Sequence, residues 1–417
     1  MALTILSQPD LITSLYSIDG DNLSFVLEST ESSLCSMKYV GDLYVNGNYI
    51  TTVKNSPNLV DGKCVMLFNK VIEDFVTSDR NSTYFEICES STATYSILFG
   101  EETDGTYDCS GSEFDIVYGP SYSGTVWNGT IQYGEAFDPL DWLVTLGGNV
   151  ANFLTNSPDE QSIYISESSA LWWITGETMS QAIEINVTND VGSNATWYIF
   201  YVDTTPGVMM SVGSGPVDLN YYVTNGVVVD IINNPATDPI ITCDTITYSV
   251  QVIDFPVTSI PRTDPKVYEV LCDCNTWTPF QIVWLNKRGG YDNYTFRLKS
   301  TRTITNEKKE WSRYLSTLQL NNTFGYNIGD RGRSVYSSRA FETVTVVSTW
   351  MTAAEHNWVA ELFESQEVYY RPSFEVNIPV VVGNKSVETG SSRRIGRELL
   401  SHTIEFTYAN ERVNQRG

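Results

Sequence analysis

The chain has 417 residues, 50 acidic against 25 basic, and so a net charge of −25 on a composition that is only 18% charged and 41% hydrophobic. That length suits several domains, each with its own core. So acidic a molecule is a poor nucleic-acid coat, which needs a basic surface. No run of about 18 apolar residues is present to cross a membrane as a helix, and the repeats of collagen and of long coiled coils are absent.

The first 120 residues read as strands. Candidates are 23–27, 38–45, 49–53, 64–68 and 94–99, with Asn46-Gly47 as a hairpin turn and a short helical turn over 71–76. Residues 121–260 read as a second, acidic β domain. Its candidate strands are 162–165, 182–187, 196–202, 226–232 and 246–252, with turns at Gly213-Ser-Gly-Pro and Asn233-Asn-Pro and no helix of ordinary length. Three prolines between Pro256 and Pro265 mark a linker. Residues 261–417 then give strands at 267–271, 280–285, 294–298, 342–347, 368–370, 376–382 and 402–408. They also give one helix over 351–363, with Thr352 as N-cap, Glu355 closing a capping box, and Ala354, Trp358 and Leu362 as the apolar stripe. The expected fold class is mostly β: tandem β-sandwich-like domains, the last with one packed α-helix.

The charge is unevenly placed. No Lys or Arg lies between Arg80 and Arg262, a stretch with 23 Asp and Glu; residues 1–261 carry a net charge of −28 and residues 262–417 a net of +3. Acidic surface keeps a protein soluble. It can also orient neighbours in an assembly. Glu101, Glu102, Asp104 and Asp108 lack the spacing of a calcium loop, so no metal is expected there.

Groups for catalysis are scarce. The two histidines, His356 and His402, read as isolated surface or edge residues, which leaves no Ser/His or Cys/His device. Gly213-Ser-Gly-Pro lacks the lysine and following helix of a phosphate loop. Seven widely spaced cysteines do not suggest a disulfide framework, so buried free thiols are expected. The opening residues lack the features of a secretory signal, and synthesis in cytoplasm is the expectation. Glu167 and Glu177 beside Trp172 and Trp173 leave room for a sugar site, although core rings explain the tryptophans as well. The excess of aromatics, 25 Tyr, 17 Phe and 10 Trp, suits protein–protein interfaces.

Residues 279–296 (PFQIVWLNKRGGYDNYTF) and 348–370 (STWMTAAEHNWVAELFESQEVYY), with 43–47 (LYVNG) and 98–101 (LFGE), resemble pieces of structural proteins from tailed bacteriophages that infect Bacteroidota. The resemblance implies a virion protein of the tail, baseplate or collar, a ring subunit acting as assembly adaptor. Its partners would be copies of itself and other tail, collar or fibre proteins, with no catalytic residue, cofactor, metal, membrane span or specific nucleic-acid contact. The alternatives are an adhesion module for carbohydrate or host surface, and a carboxylate-based glycoside hydrolase.

Within these motifs the structural candidates follow from strand geometry. Trp284 faces the core, Asn286 with Gly289 and Gly290 turns the chain, and Asp292 caps the turn. Tyr294 and Phe296 return on one face, and Trp350 and Trp358 anchor the helix on the sheet.

Overall fold

The computed structural model describes residues 3–17, 23–30, 36–79, 86–103, 114–131, 139–145, 150–190, 192, 194–203, 206–224, 241–254, 260–273, 276–314, 317–318, 324–325, 332–373, 376–384 and 400–410. The fold is mostly β, arranged in several sheets. The chain divides into two compact units, Met1–Cys274 with Leu285–Asn293, and Asn275–Trp284 with Tyr294–Gly417.

The first unit holds two cores. One is shared by a three-stranded sheet (Leu3–Ser7, Ser24–Ser29, Cys64–Leu67) and a five-stranded sheet in the order Ile12–Ser17, Asp115–Ile131, Thr92–Thr103, Lys38–Val45, Asn48–Asn55. Ser24–Ser29 alternates buried and more exposed positions, as a strand with one wet face must. It sends Phe25 and Leu27 in to meet Tyr39, Leu43, Ile97 and Phe99. Phe25 lies 5.1 Å from Phe99 and 5.9 Å from Phe68, ring centre to ring centre. Asn46 and Gly47 adopt positive φ, +49° and +77°, the conformation a two-residue hairpin turn requires. The turn expected over 71–76 is present as Asn69–Ile72 followed by a 3-10 turn, Glu73–Phe75.

The other core lies between a four-stranded sheet (Leu143–Val144, Ala170–Thr175, Met209–Gly213, Glu86–Ile87) and a five-stranded sheet in the order Glu160–Tyr164, Lys266–Leu271, Thr245–Asp254, Met179–Asn189, Asn194–Asp203. The prolines do not take the chain out of this sheet, because Lys266–Leu271 pairs antiparallel with Thr245–Asp254 and parallel with Glu160–Tyr164. This region also contains a helix, Pro216–Thr224, where the sequence suggested none. Pro216 opens it, a position where the missing N–H is not needed. Asp218 Oδ2 accepts from Gly215 N at 3.1 Å, and Leu219 and Tyr222 join the core. The strand expected over 226–232 and the turn at Asn233 lie outside the described residues.

The second unit is built on a seven-stranded sheet in the order Tyr291–Phe296, Phe280–Leu285, Val368–Ser373, Val376–Val382, Thr403–Tyr408, Arg333–Val347, Thr301–Ser312. The helix Ala353–Ala360 and the 3-10 turn Glu361–Phe363 occupy the expected place, and Thr352 and Glu355 form the expected capping box. Trp358 and Leu362 are buried in the core with Trp284, Phe296, Val344 and Phe406. Ala354 is exposed, contrary to the expected stripe; the helix is short, and its buried side runs through His356, Trp358, Val359 and Ala360.

Two further expectations are corrected. Cys243 and Cys272 are joined in a disulfide, with Cα atoms 5.4 Å apart. They stand at facing ends of the antiparallel strands Thr245–Asp254 and Lys266–Leu271, a proximity that 29 residues of separation hide in the sequence. Cys64 and Cys88 are buried free thiols, as expected. Neither histidine is at the surface: both are buried and their rings stack at 3.9 Å.

Candidate functional site

The hairpin formed by Phe280–Leu285 and Tyr291–Phe296 is shared, its stem belonging to the second unit and its tip, Leu285–Asn293, to the first. Asn286 organises the tip. Its Oδ1 accepts from Arg288 N at 2.9 Å and Gly290 N at 3.1 Å, while its Nδ2 donates to Leu154 O at 2.8 Å. Asn286 therefore caps the turn, in the role expected of Asp292. Asp292 is buried instead, close enough to Tyr268 to help burial hold that phenol at about 12.

The tip is pinned from many sides. Gly289 has φ +93°, and a Cβ on it would run into the Asn128 carbonyl. A Cβ on Gly290 would press on Leu154 O and the Trp172 ring. Trp127 Nε1 donates to Arg288 O at 3.1 Å, Thr130 N donates to Lys287 O at 2.7 Å, and Arg288 Nε donates to Asn156 Oδ1 at 3.1 Å. The Arg288 guanidinium also lies over the Trp142 ring. Every polar group of the turn named here has an internal partner, so the tip is framework rather than a binding loop.

In the second unit Trp284 is fully buried, 5.4 Å from Trp358, and Tyr294 meets Phe296 edge-on at 5.0 Å, as two residues on one strand face should. Trp350 does not anchor the helix. It is 67% exposed, in the segment before Thr352, where no strand or helix period fixes its direction.

Of the groups weighed for chemistry the rings and imidazoles are turned inward, whereas Glu177 is exposed and Glu167 half-buried. Trp173 is in the core, donating to Gln181 Oε1 at 2.9 Å, and Trp172 is buried against Tyr291, so neither ring lines a sugar groove. Asp218, fully buried, accepts from Ser168 Oγ, Ser169 N and Gly215 N. His402 Nε2 lies 3.0 Å from His356 O, and burial lowers the pKa of both imidazoles. Glu102 pairs with Lys54 at 2.5 Å, and Asp104 and Asp108 lie outside the described residues. Among the described residues no group of His, Cys, Asp or Glu could hold a metal ion, and no helix is long and apolar enough to cross a membrane.

Two features face outward. An open recess of about 500 Å³ in the first unit is lined by Leu11, Tyr95, Ser123, Thr125 and Pro206 among others, with hydroxyls but no carboxylate, amine or imidazole. In the second unit Thr301–Ser312 and Arg333–Val347 form a long antiparallel arm, and every residue of Thr301–Ser312 is exposed. The strand read at 342–347 is the inner end of Arg333–Val347, but no sequence signal announced the rest of the arm, because a strand wet on both faces has no apolar period.

No model of a known protein family matches the chain, and no curated protein matches it significantly.

Proposed function

We propose that the chain is a structural protein of a tailed-phage virion, built of tandem β-sandwich-like domains. It would form a subunit of a tail, baseplate or collar ring and act as an assembly adaptor. The observation that carries this reading is the division between inside and outside. Trp172, Trp173 and both histidines, the rings that could serve chemistry, are engaged in cores, while an extended arm with exposed Trp311 and Tyr336 faces solvent. Exposed aromatics on a strand pair suit protein contacts. The two longer segments that resemble phage structural proteins fall on the pinned hairpin and the capped helix, and the two short ones on the strands Lys38–Val45 and Thr92–Thr103 with the Asn46-Gly47 turn, all framework elements. The Cys243–Cys272 disulfide suits a particle that works outside the cell.

The test is mass spectrometry and electron cryo-microscopy of the purified source particle. The expected result is this chain in many copies, fitting a ring in the tail, baseplate or collar. Its absence from purified particles would overturn the reading.

The recess favours a second reading, host-surface glycan binding, because its lining offers several hydroxyls, from Thr94, Ser96, Ser123 and Thr125. That reading expects a glycan-array signal that Ser123→Trp abolishes, and a blank array would count against it.

A further inference from the structure

Among the described residues Thr301–Ser312 is the edge strand of the seven-stranded sheet, with one neighbour, Arg333–Val347, paired from Thr301 opposite Thr345 to Ser312 opposite Arg333. Twelve residues of strand span about 40 Å. An edge of that length leaves a row of backbone donors and acceptors open to another chain. Soluble edges are usually blunted by brevity or by covering. This one is long and carries charge, Lys308 and Lys309 among it, with a register shift after Lys309; beside that charge it exposes apolar residues, Ile304, Trp311, Val335 and Tyr336 being 58%, 49%, 48% and 66% exposed.

The arm also has a sign. Its two strands, Thr301–Ser312 and Arg333–Val347, hold five Lys and Arg against three Glu. Within the arm Arg302 pairs with Glu342 at 3.6 Å and Arg333 with Glu310 at 3.9 Å. Among the described residues Lys308, Lys309 and Arg339 have no ion-pair partner. The register puts Arg339 opposite Glu307, so Arg339, Lys309 and Trp311 share one face of the arm. The first unit holds 37 acidic and nine basic residues, a net charge of −28.

We infer that the arm docks on the acidic first unit of a second copy of this chain, with Trp311 and Tyr336 as apolar anchors, Lys309 and Arg339 meeting carboxylates from one face of the arm and Lys308 from the other. The chain itself supplies both members of the complementary pair. A contact between two different surfaces of identical copies repeats head to tail, which is how rings are generated. The inference rests on the ring reading for that repetition, while the contact is testable without a particle.

The experiment uses the full chain. Sedimentation velocity is run at about 50 mM and about 500 mM salt, a range over which the screening length contracts severalfold. The wild type is compared with the double variant Lys308→Glu/Lys309→Glu, whose exposed positions leave folding intact. A photo-crosslinking residue replaces Tyr336 in a mixture of ¹⁴N- and ¹⁵N-labelled chains. The expected results are concentration-dependent association that weakens about tenfold or more both in high salt and in the double variant. Mixed-isotope crosslinks should land within residues 1–274. A wild type that stays monomeric to about 100 μM, association indifferent to the charge reversal, or intermolecular crosslinks confined to residues 294–417 would each overturn the inference. If the chain is abundant in particles but associates without the arm, the docking inference falls and the virion reading stands. If arm-dependent association is found for a chain that purified particles lack, the reverse holds.

Discussion

Replacing Asn286 by alanine tests the most specific feature of the structure, the hairpin tip held by one carboxamide. The side chain makes three hydrogen bonds, to Leu154 O at 2.8 Å, from Arg288 N at 2.9 Å and from Gly290 N at 3.1 Å, and the residue is 5% exposed. In Asn286→Ala the carbonyl and both amides are stranded where water is largely excluded. Each stranded group costs about 1 kcal/mol or more, so the tip loses about 3 kcal/mol, or about 150-fold in its opening constant. Hydrogen exchange read by mass spectrometry over a peptide spanning residues 285–293 reports that opening directly. Exchange should accelerate by about two orders of magnitude. A change of less than about threefold would show that Asn286 does not hold the tip, and the argument from buried polar satisfaction would fail.

The remaining predictions concern the second unit and the disulfide. Trp284→Ala removes a fully buried ring packed on Trp358 and should destabilise the second unit by about 3–5 kcal/mol in denaturant titrations. Trp350→Ala should stay within about 0.5 kcal/mol, and equal effects of the two would contradict their burial. The lowered pKa of His356 and His402 means that the unfolded chain binds protons before the folded one does. Stability is therefore full above about pH 6.5 and is lost as pH falls from there toward the lowered folded values, at up to about 1.4 kcal/mol per pH unit for each ring. Urea midpoints between about pH 5 and 8 should fall on acidification, and the double substitution of both histidines by Phe should flatten that fall. Non-reducing peptide maps should show Cys243 joined to Cys272, and by the chain-entropy account reduction of this 29-residue loop should cost about 3–4 kcal/mol. Full alkylation of both thiols without reductant would refute the pairing.

What the sequence made legible has a common physical character. Lys38–Val45, Phe280–Leu285 and Val376–Val382 were bounded correctly because their β-branched and aromatic runs stop at turn residues, Asn46-Gly47, Asn286 and Gly383. The capped helix was legible because the Thr352 and Glu355 interaction is local. What was missed depends on distant residues. The helix at Pro216 looked like a turn, although Pro216 with Asp218 two residues on was an available start signal. His356 and His402 stack across 46 residues, and Cys243 meets Cys272 across a strand pair, neither of which a single sequence window contains. Trp350 and Trp358 share a residue type and a motif, yet only Trp358 has a helix to point it inward.

The edge strand of the arm was missed for the opposite reason, and this bears on where function is to be sought in such a chain. Hydrophobic periodicity reports faces that are buried within one molecule. Thr301–Ser312 has no such face, so its Thr, Asn, Lys and Glu residues read as a solvated loop even though they form a twelve-residue strand. A surface completed by another molecule carries its apolar residues sparsely, because it must remain soluble until it binds. Ile304 and Trp311 on one strand with Val335 and Tyr336 on the other fit that description. The signal that does survive in the sequence is charge, which needs no period: a net of −28 over residues 1–261 beside a net of +3 over residues 262–417. Long-range fields of opposite sign act before contact and set which surfaces meet. On the docking inference the uneven charge and the unperiodic strand would be two traces of one surface, the first marking its partner and the second its place.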